Sequence, residues 1–177
     1  MAEQYPTRLR ILRKLTDIIR EVTPANGYVN DLGPGPGWPN GRVFRGRAVF
    51  GQESPLPMVT ILEVPMPPDQ VPSPPDSADR VGEWDLIIQG FVEDDFENPT
   101  DPAQVLLADV VRRLALEKKN GMDREGNCKF LGMGDIVTGM QIGVGVVRPP
   151  DAEVSDKAYF WLQLRLTVAE SLDKPYD

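Results

Sequence analysis

The residues able to do chemistry are few and oddly placed. Glu93, Asp94, Asp95 and Glu97 crowd carboxylates into one short run, and oxygen donors of this kind suit a hard cation. Their spacing does not follow the alternating positions of a calcium loop, so they read as a solvated acidic run. Cys128 is the only cysteine, and histidine is absent. A thiol nucleophile here has no imidazole base, and Ser-His-Asp, Cys-His and imidazole-zinc arrangements are excluded. The stretch GPGPGWPNG, residues 33 to 41, is rich in glycine like a phosphate loop. Pro34, Pro36 and Pro39 have no N–H to offer an anion, no Lys-Ser or Lys-Thr pair follows, and a strand pattern rather than a helix comes next. It reads as a stiff connector, with Trp38 either a lid over the core or a contact residue. Gly143-Val-Gly145 is not a dinucleotide fingerprint, because Arg148 takes the third glycine position and no helix follows. No enzyme, cofactor or metal is expected.

The chain has 177 residues, 41% of them hydrophobic and 26% charged, enough for one domain with a real core. No apolar run approaches a membrane span, and MAEQYPTRLRILRKL has no signal-peptide core. A lone cysteine fits a reducing compartment. The net charge of −8 argues against gripping a phosphate backbone, which takes Lys and Arg.

The elements that must position these residues follow from periodicity. A first helix is expected from about Tyr5 to Val22, with Leu12, Leu15, Ile19 and Val22 on one stripe beside Ile11 and Ile18. Its outer face carries Arg8, Arg10, Arg13, Lys14 and Arg20 against Asp17 and Glu21. That face is either solvated or a contact for an acidic partner or a neighbouring copy. Two paired strands are expected at Arg42 to Phe50 and Met58 to Val64. Residues 65 to 82, PMPPDQVPSPPDSADRVG, hold too many prolines for a helix or inner strand and read as an extended arm. The arm is a flexible insertion or a segment that orders against a partner. Residues 82 to 95 read as a strand, with Trp84, Leu86, Ile88, Gly90 and Val92 on one face. A second helix begins with Asp101 as N-cap and Pro102 at the first position, with Gln104 completing a capping box. It runs through Leu106, Leu107, Val110, Val111 and Leu114 to Asn120-Gly121. A glycine-punctuated connector with a short hairpin spans 121 to 134. Strands follow at DIVTGMQIGVGVVRP and at Ala158 to Ser171, the latter burying Phe160, Leu162, Leu164, Leu166 and Val168. The expected fold is α+β: one mostly antiparallel sheet of four to five strands, with two helices packed on one face.

With ILRKLTDIIREV, RVFRGRAVFG leading into SPLPMVTILE, WDLIIQGFVEDD, DPAQVLLADVVRRLALE and the closing AYFWLQLRLTVAES in this order, the chain resembles tail terminator (tail completion) proteins of long-tailed bacteriophages. The resemblance runs from about residue 8 to 171 and is one of element order and texture, with no catalytic signature. It implies a structural virion protein at the head-proximal end of the tail, assembled in the host cytoplasm. Such a protein forms a ring, typically of six copies, that ends growth of the tail tube. It binds the major tail tube protein and docks the head-tail connector, or neck, protein. DNA passes through the lumen without specific binding, and no membrane is involved. A neck protein or a minor tube subunit is the alternative. The residues expected at a subunit or partner interface are Arg8, Arg10, Arg13, Trp38, Pro68, Pro72, Pro75 and Arg80.

Overall fold

The computed structural model describes residues 5–48, 51, 53–65, 78–122, 126 and 128–176. Two helices, α1 (Thr7–Arg20) and α2 (Asp101–Asn120), pack on a sheet of β1 (Val43–Arg45), β2 (Met58–Glu63), β3 (Asp79–Val92), β4 (Val137–Arg148) and β5 (Ala158–Ser171). The strand order is β1-β2-β3-β5-β4, with β1 parallel to β2 and every other pair antiparallel. The fold is α+β, as the periodicities imply.

The two-residue period of β3 and β5 decides which face is covered. Trp84, Leu86 and Ile88 on β3, and Phe160, Leu162, Leu164, Leu166 and Val168 on β5, are buried in one cluster with Ile11, Leu15 and Ile19 of α1 and Leu106, Val110 and Leu114 of α2. Both helices therefore lie on the same face, α1 against β1 and α2 against β3, β4 and β5. Two glycines let the layers close. Phe160 lies over Gly90, where an added Cβ would sit 2.1 Å from its Cε1, and Leu107 of α2 lies closely over Gly145. Gly145 of β4 thus serves close packing against α2.

Several boundaries move. The helix expected from Tyr5 to Val22 is Thr7–Arg20; the Thr7 N–H donates to the Pro175 carbonyl at 2.8 Å, so the C-terminal tail satisfies one open donor at the helix start. Leu12, placed on the apolar stripe, is only half-buried. At α2, Thr100 rather than Asp101 occupies the cap position, and no side chain caps the helix. Asp101 is already helical, because Gln104 N–H bonds back to the Thr100 carbonyl at 3.0 Å. The first strand is shorter than Arg42 to Phe50, since Gly46 leaves the extended region at φ 65°. The strand expected over 135 to 149 gives up its start to a 3-10 turn at Gly134–Ile136. In the connector before it, one antiparallel bridge joins Met122 to Cys128.

The largest correction concerns the arm. Its last residues are strand: Asp79 to Gly82 pair with Ser171 to Val168 across β5. Ala78, Asp79, Arg80 and Val81 contain no proline, and β5 is long enough to template them. The rest of the arm, with Pro68, Pro72 and Pro75, lies outside the described residues.

Candidate interaction surfaces

Two of the arginines singled out in the sequence converge on one carboxylate. Arg8, in the first turn of α1, donates to Glu170 from Nε at 3.2 Å and from Nη2 at 2.9 Å. Arg80, at the start of β3, donates to the same carboxylate from Nε at 2.7 Å. The Arg8 guanidinium also lies 5.0 Å from the Trp84 ring centre, a cation–π distance. The Glu170 side chain is 13% exposed. Burial would raise its pKa, but hydrogen bonds from Arg8 and Arg80 outweigh burial and hold it below the usual glutamate value. This cluster ties α1, β3 and β5 together, and it presents a net positive charge beside the exposed Val81.

Arg10 and Arg13 lie apart from it. Arg10 is half-buried; Arg13 is exposed, with its guanidinium 4.2 Å from the Tyr5 ring centre. Arg13 belongs to a second basic group at the β1 edge of the sheet. Arg45 donates to Thr16 Oγ1 at 3.0 Å, and Arg20 donates to Asp17 at 3.2 Å and to the Val43 carbonyl at 3.4 Å. Desolvation, and then the nearby charges of Arg13 and Arg20, lower the pKa of Arg45. Arg20 Nε and Arg42 Nε are buried with no acceptor among the described residues. Trp38 stands here too, half-buried and edge-on to Phe44 at 6.2 Å, with the Arg47 guanidinium 4.8 Å from the Phe44 ring centre. It covers the sheet edge, outside the main core.

The sheet face away from the helices carries a smaller cluster. Met58, Phe91 and Tyr159 stand side by side across β2, β3 and β5, with Phe44, Leu56 and Trp161 against them. Phe91 and Tyr159 stack at 6.1 Å. The Tyr159 hydroxyl donates to Asp151 Oδ2 at 2.7 Å; that bond lowers the Asp151 pKa, while burial and the same carboxylate raise that of Tyr159. An open cleft of about 710 Å³ has Leu56, Met58 and Phe91 for a floor and Ser54, Glu93, Ser155, Asp156 and Lys157 for a rim.

The acidic run follows β3 and is exposed throughout. Glu93 accepts a hydrogen bond from Lys157 Nζ at 2.8 Å, and that bond raises the lysine's pKa. Among the described residues, no group of three His, Cys, Asp or Glu side chains is placed to hold a metal ion. No helix among them is long and apolar enough to cross a membrane.

Three residues escaped the sequence reading. Asp109 sits on the buried side of α2, 6% exposed, and its Oδ2 accepts from Val29 N, Asn30 N and Asn30 Nδ2 at 3.1, 2.9 and 2.9 Å. Glu170 gave no signal beyond alternation. Phe96 gave one, an aromatic inside an acidic run, and it is 99% exposed. The chain matches no protein-family model and no curated protein.

Proposed function

We propose that this chain is a structural virion component of the tail-terminator kind, a ring subunit that caps the head-proximal end of a phage tail tube and offers the docking surface for the head connector. The observation that carries this reading is the arrangement on which the resemblance rests. The helix, the paired strands, the long strand, the second helix and the closing strand pair occur in the expected order around one sheet. Among the described residues both helices pack on one face of the sheet. A ring that lets DNA slide should not grip phosphates, and a chain of net charge −8 fits that requirement.

Electron microscopy of particles from phage with this gene silenced tests the proposal. Free heads and tails of abnormal, often excessive length are expected. Tails of normal length that fail to join heads would instead assign a neck role, and normal infectious particles would overturn the reading.

A further inference from the structure

The chain has 27 acidic and 19 basic residues, so carboxylates are plentiful, and several arginines have taken them. Arg8 and Arg80 share Glu170, Arg113 meets Glu21 and Glu117, and Arg165 meets Glu83 and Asp85. The junction of α1 and β1 departs from this pattern. Arg13, Thr16, Asp17 and Arg20 stand at i, i+3, i+4 and i+7 of α1, which puts them on one stripe of the helix. α1 packs against β1. Arg45 lies two residues beyond the buried Val43, hence on the same side of the strand, toward the helix. Its Nη1 donates to Thr16 Oγ1 at 3.0 Å, and Thr16 in turn donates to the Leu12 carbonyl at 2.7 Å.

Arg45 is thereby pinned about one helical turn, roughly 5 Å along the axis, from both Arg13 and Arg20. Asp17 is the one carboxylate on the stripe, and it pairs with Arg20 at 3.2 Å. Arg13 rests on the Tyr5 ring and Arg45 on a neutral hydroxyl, and neither forms an ion pair among the described residues. Arg20 Nε is buried with no acceptor among them. Three guanidiniums thus share one carboxylate. The like charges are felt: after desolvation, Arg13 and Arg20 are what lower the Arg45 pKa, against a smaller opposite effect of Asp17. Arg13 and Arg45 are both exposed, so a dissolved anion can reach them. Holding like charges together works against the compact state, and a bound anion relieves that repulsion.

We propose that the junction of α1 and β1 binds a phosphate dianion between the Arg13 and Arg45 guanidiniums, with Arg20 adding its charge. A phosphate monoester carries about two negative charges at neutral pH, which matches the two guanidiniums that lack a carboxylate. Each planar guanidinium offers phosphate oxygens two parallel N–H donors. The Thr16 hydroxyl is committed at both ends, to Arg45 and to the Leu12 carbonyl, so it orients Arg45 and does not touch the anion. The ligand is a free phosphate or a phosphate group on a small molecule. A duplex is disfavoured, because each backbone phosphate carries a single charge and a chain of net charge −8 repels the polymer.

Thermal melts of the full chain in inorganic phosphate, set against sodium chloride of equal ionic strength, test the site. Phosphate should raise Tm saturably, by about 3 °C or more once it is about tenfold above its Kd, and chloride should not. Arg13→Gln and Arg45→Gln should each raise the phosphate Kd roughly 10-fold or more, the loss of one charge-assisted contact. Lys14→Gln removes a charge from the same helix but off the stripe, and should change Kd less than about 2-fold. In phosphate-free buffer Arg13→Gln should melt within about 1 °C of wild type, because that exposed side chain covers only the Tyr5 ring. It therefore decides even if Arg45→Gln folds poorly. A short duplex DNA should leave the phosphate Kd unchanged. No rise beyond that in chloride, an unaltered Kd in Arg13→Gln, or an equal loss in Lys14→Gln would overturn the site. Displacement of phosphate by the duplex would overturn the small-molecule assignment and make the patch a nucleic-acid contact. Phosphate binding does not depend on a role in a tail, so the tail lengths seen in the silenced phage and these melts can fail separately.

Discussion

Gly90→Ala gives opposite answers from propensity and from packing, which makes it a sharp probe of this fold. Gly90 lies in the central strand β3, and its φ is not in the left-handed region. By propensity alone, alanine should stabilise by about 0.4–1 kcal/mol through the unfolded chain. The structure predicts the reverse. Gly90 pairs with Phe160 across the strands, and the new Cβ would lie 2.1 Å from Phe160 Cε1, 2.6 Å from Cζ and 2.8 Å from Cδ1. Phe160 is fully buried, so its ring has no free space to swing into. Overpacking of this kind costs about 1–3 kcal/mol, at the upper end for a contact this close. With the propensity gain subtracted, the net loss is about 2 kcal/mol, or a fall in Tm of about 4–8 °C for a chain of this size. Phe160→Leu alone should cost about 1–2 kcal/mol by thinning the core. In the double variant the smaller side chain makes room, and the combined loss should fall short of the sum by at least about 1 kcal/mol. Urea unfolding and thermal melts followed by circular dichroism measure all four chains. A Tm for Gly90→Ala equal to or above wild type, or strict additivity in the double variant, would refute the placement of Phe160 over Gly90.

Other outcomes follow from the polar contacts. Asp109→Ala leaves the backbone donors of Val29 and Asn30 without their carboxylate, and should cost about 2–4 kcal/mol in urea unfolding. Glu170→Gln should cost about 1–2 kcal/mol at pH 7. Because the folded-state pKa of Glu170 is depressed, that stability is present above the ordinary glutamate value of about 4.3 and is lost as pH falls through the lower folded value. Wild type and Glu170→Gln should therefore converge in stability as pH falls below the ordinary glutamate value and through the lower folded one, and parallel pH profiles would contradict the Arg8–Glu170–Arg80 cluster. Arg8→Glu sets two carboxylates against each other and should lower Tm by several degrees, whereas Arg10→Glu should leave Tm within about 1 °C; equal effects would refute the difference in their surroundings.

Some of this molecule is written in short-range periodicity and some is not. The apolar faces of α1, α2, β3 and β5 are legible, because period 3.6 or 2 is a local property that folding only has to satisfy. β5 is legible to both its ends, Ala158 and Ser171, since its alternation is unbroken. The start of β3 at Asp79 is not legible: a segment that follows a proline-rich run becomes strand only because β5, far along the chain, supplies its partners. The parallel pairing of β1 with β2 likewise depends on strand order, which no window of sequence contains. The sites divide the same way. Sequence located the charge on α1, the aromatic in the GPGPGWPNG connector and the acidic run. Only the tertiary structure joined Arg8 to Arg80 through Glu170, put Asp109 under the Val29–Asn30 backbone and left Phe96 bare. The physical reason is common to all three. Periodicity and composition fix what a side chain tends to do, whereas a carboxylate's partners and a ring's burial depend on which distant segments the packed sheet brings beside them.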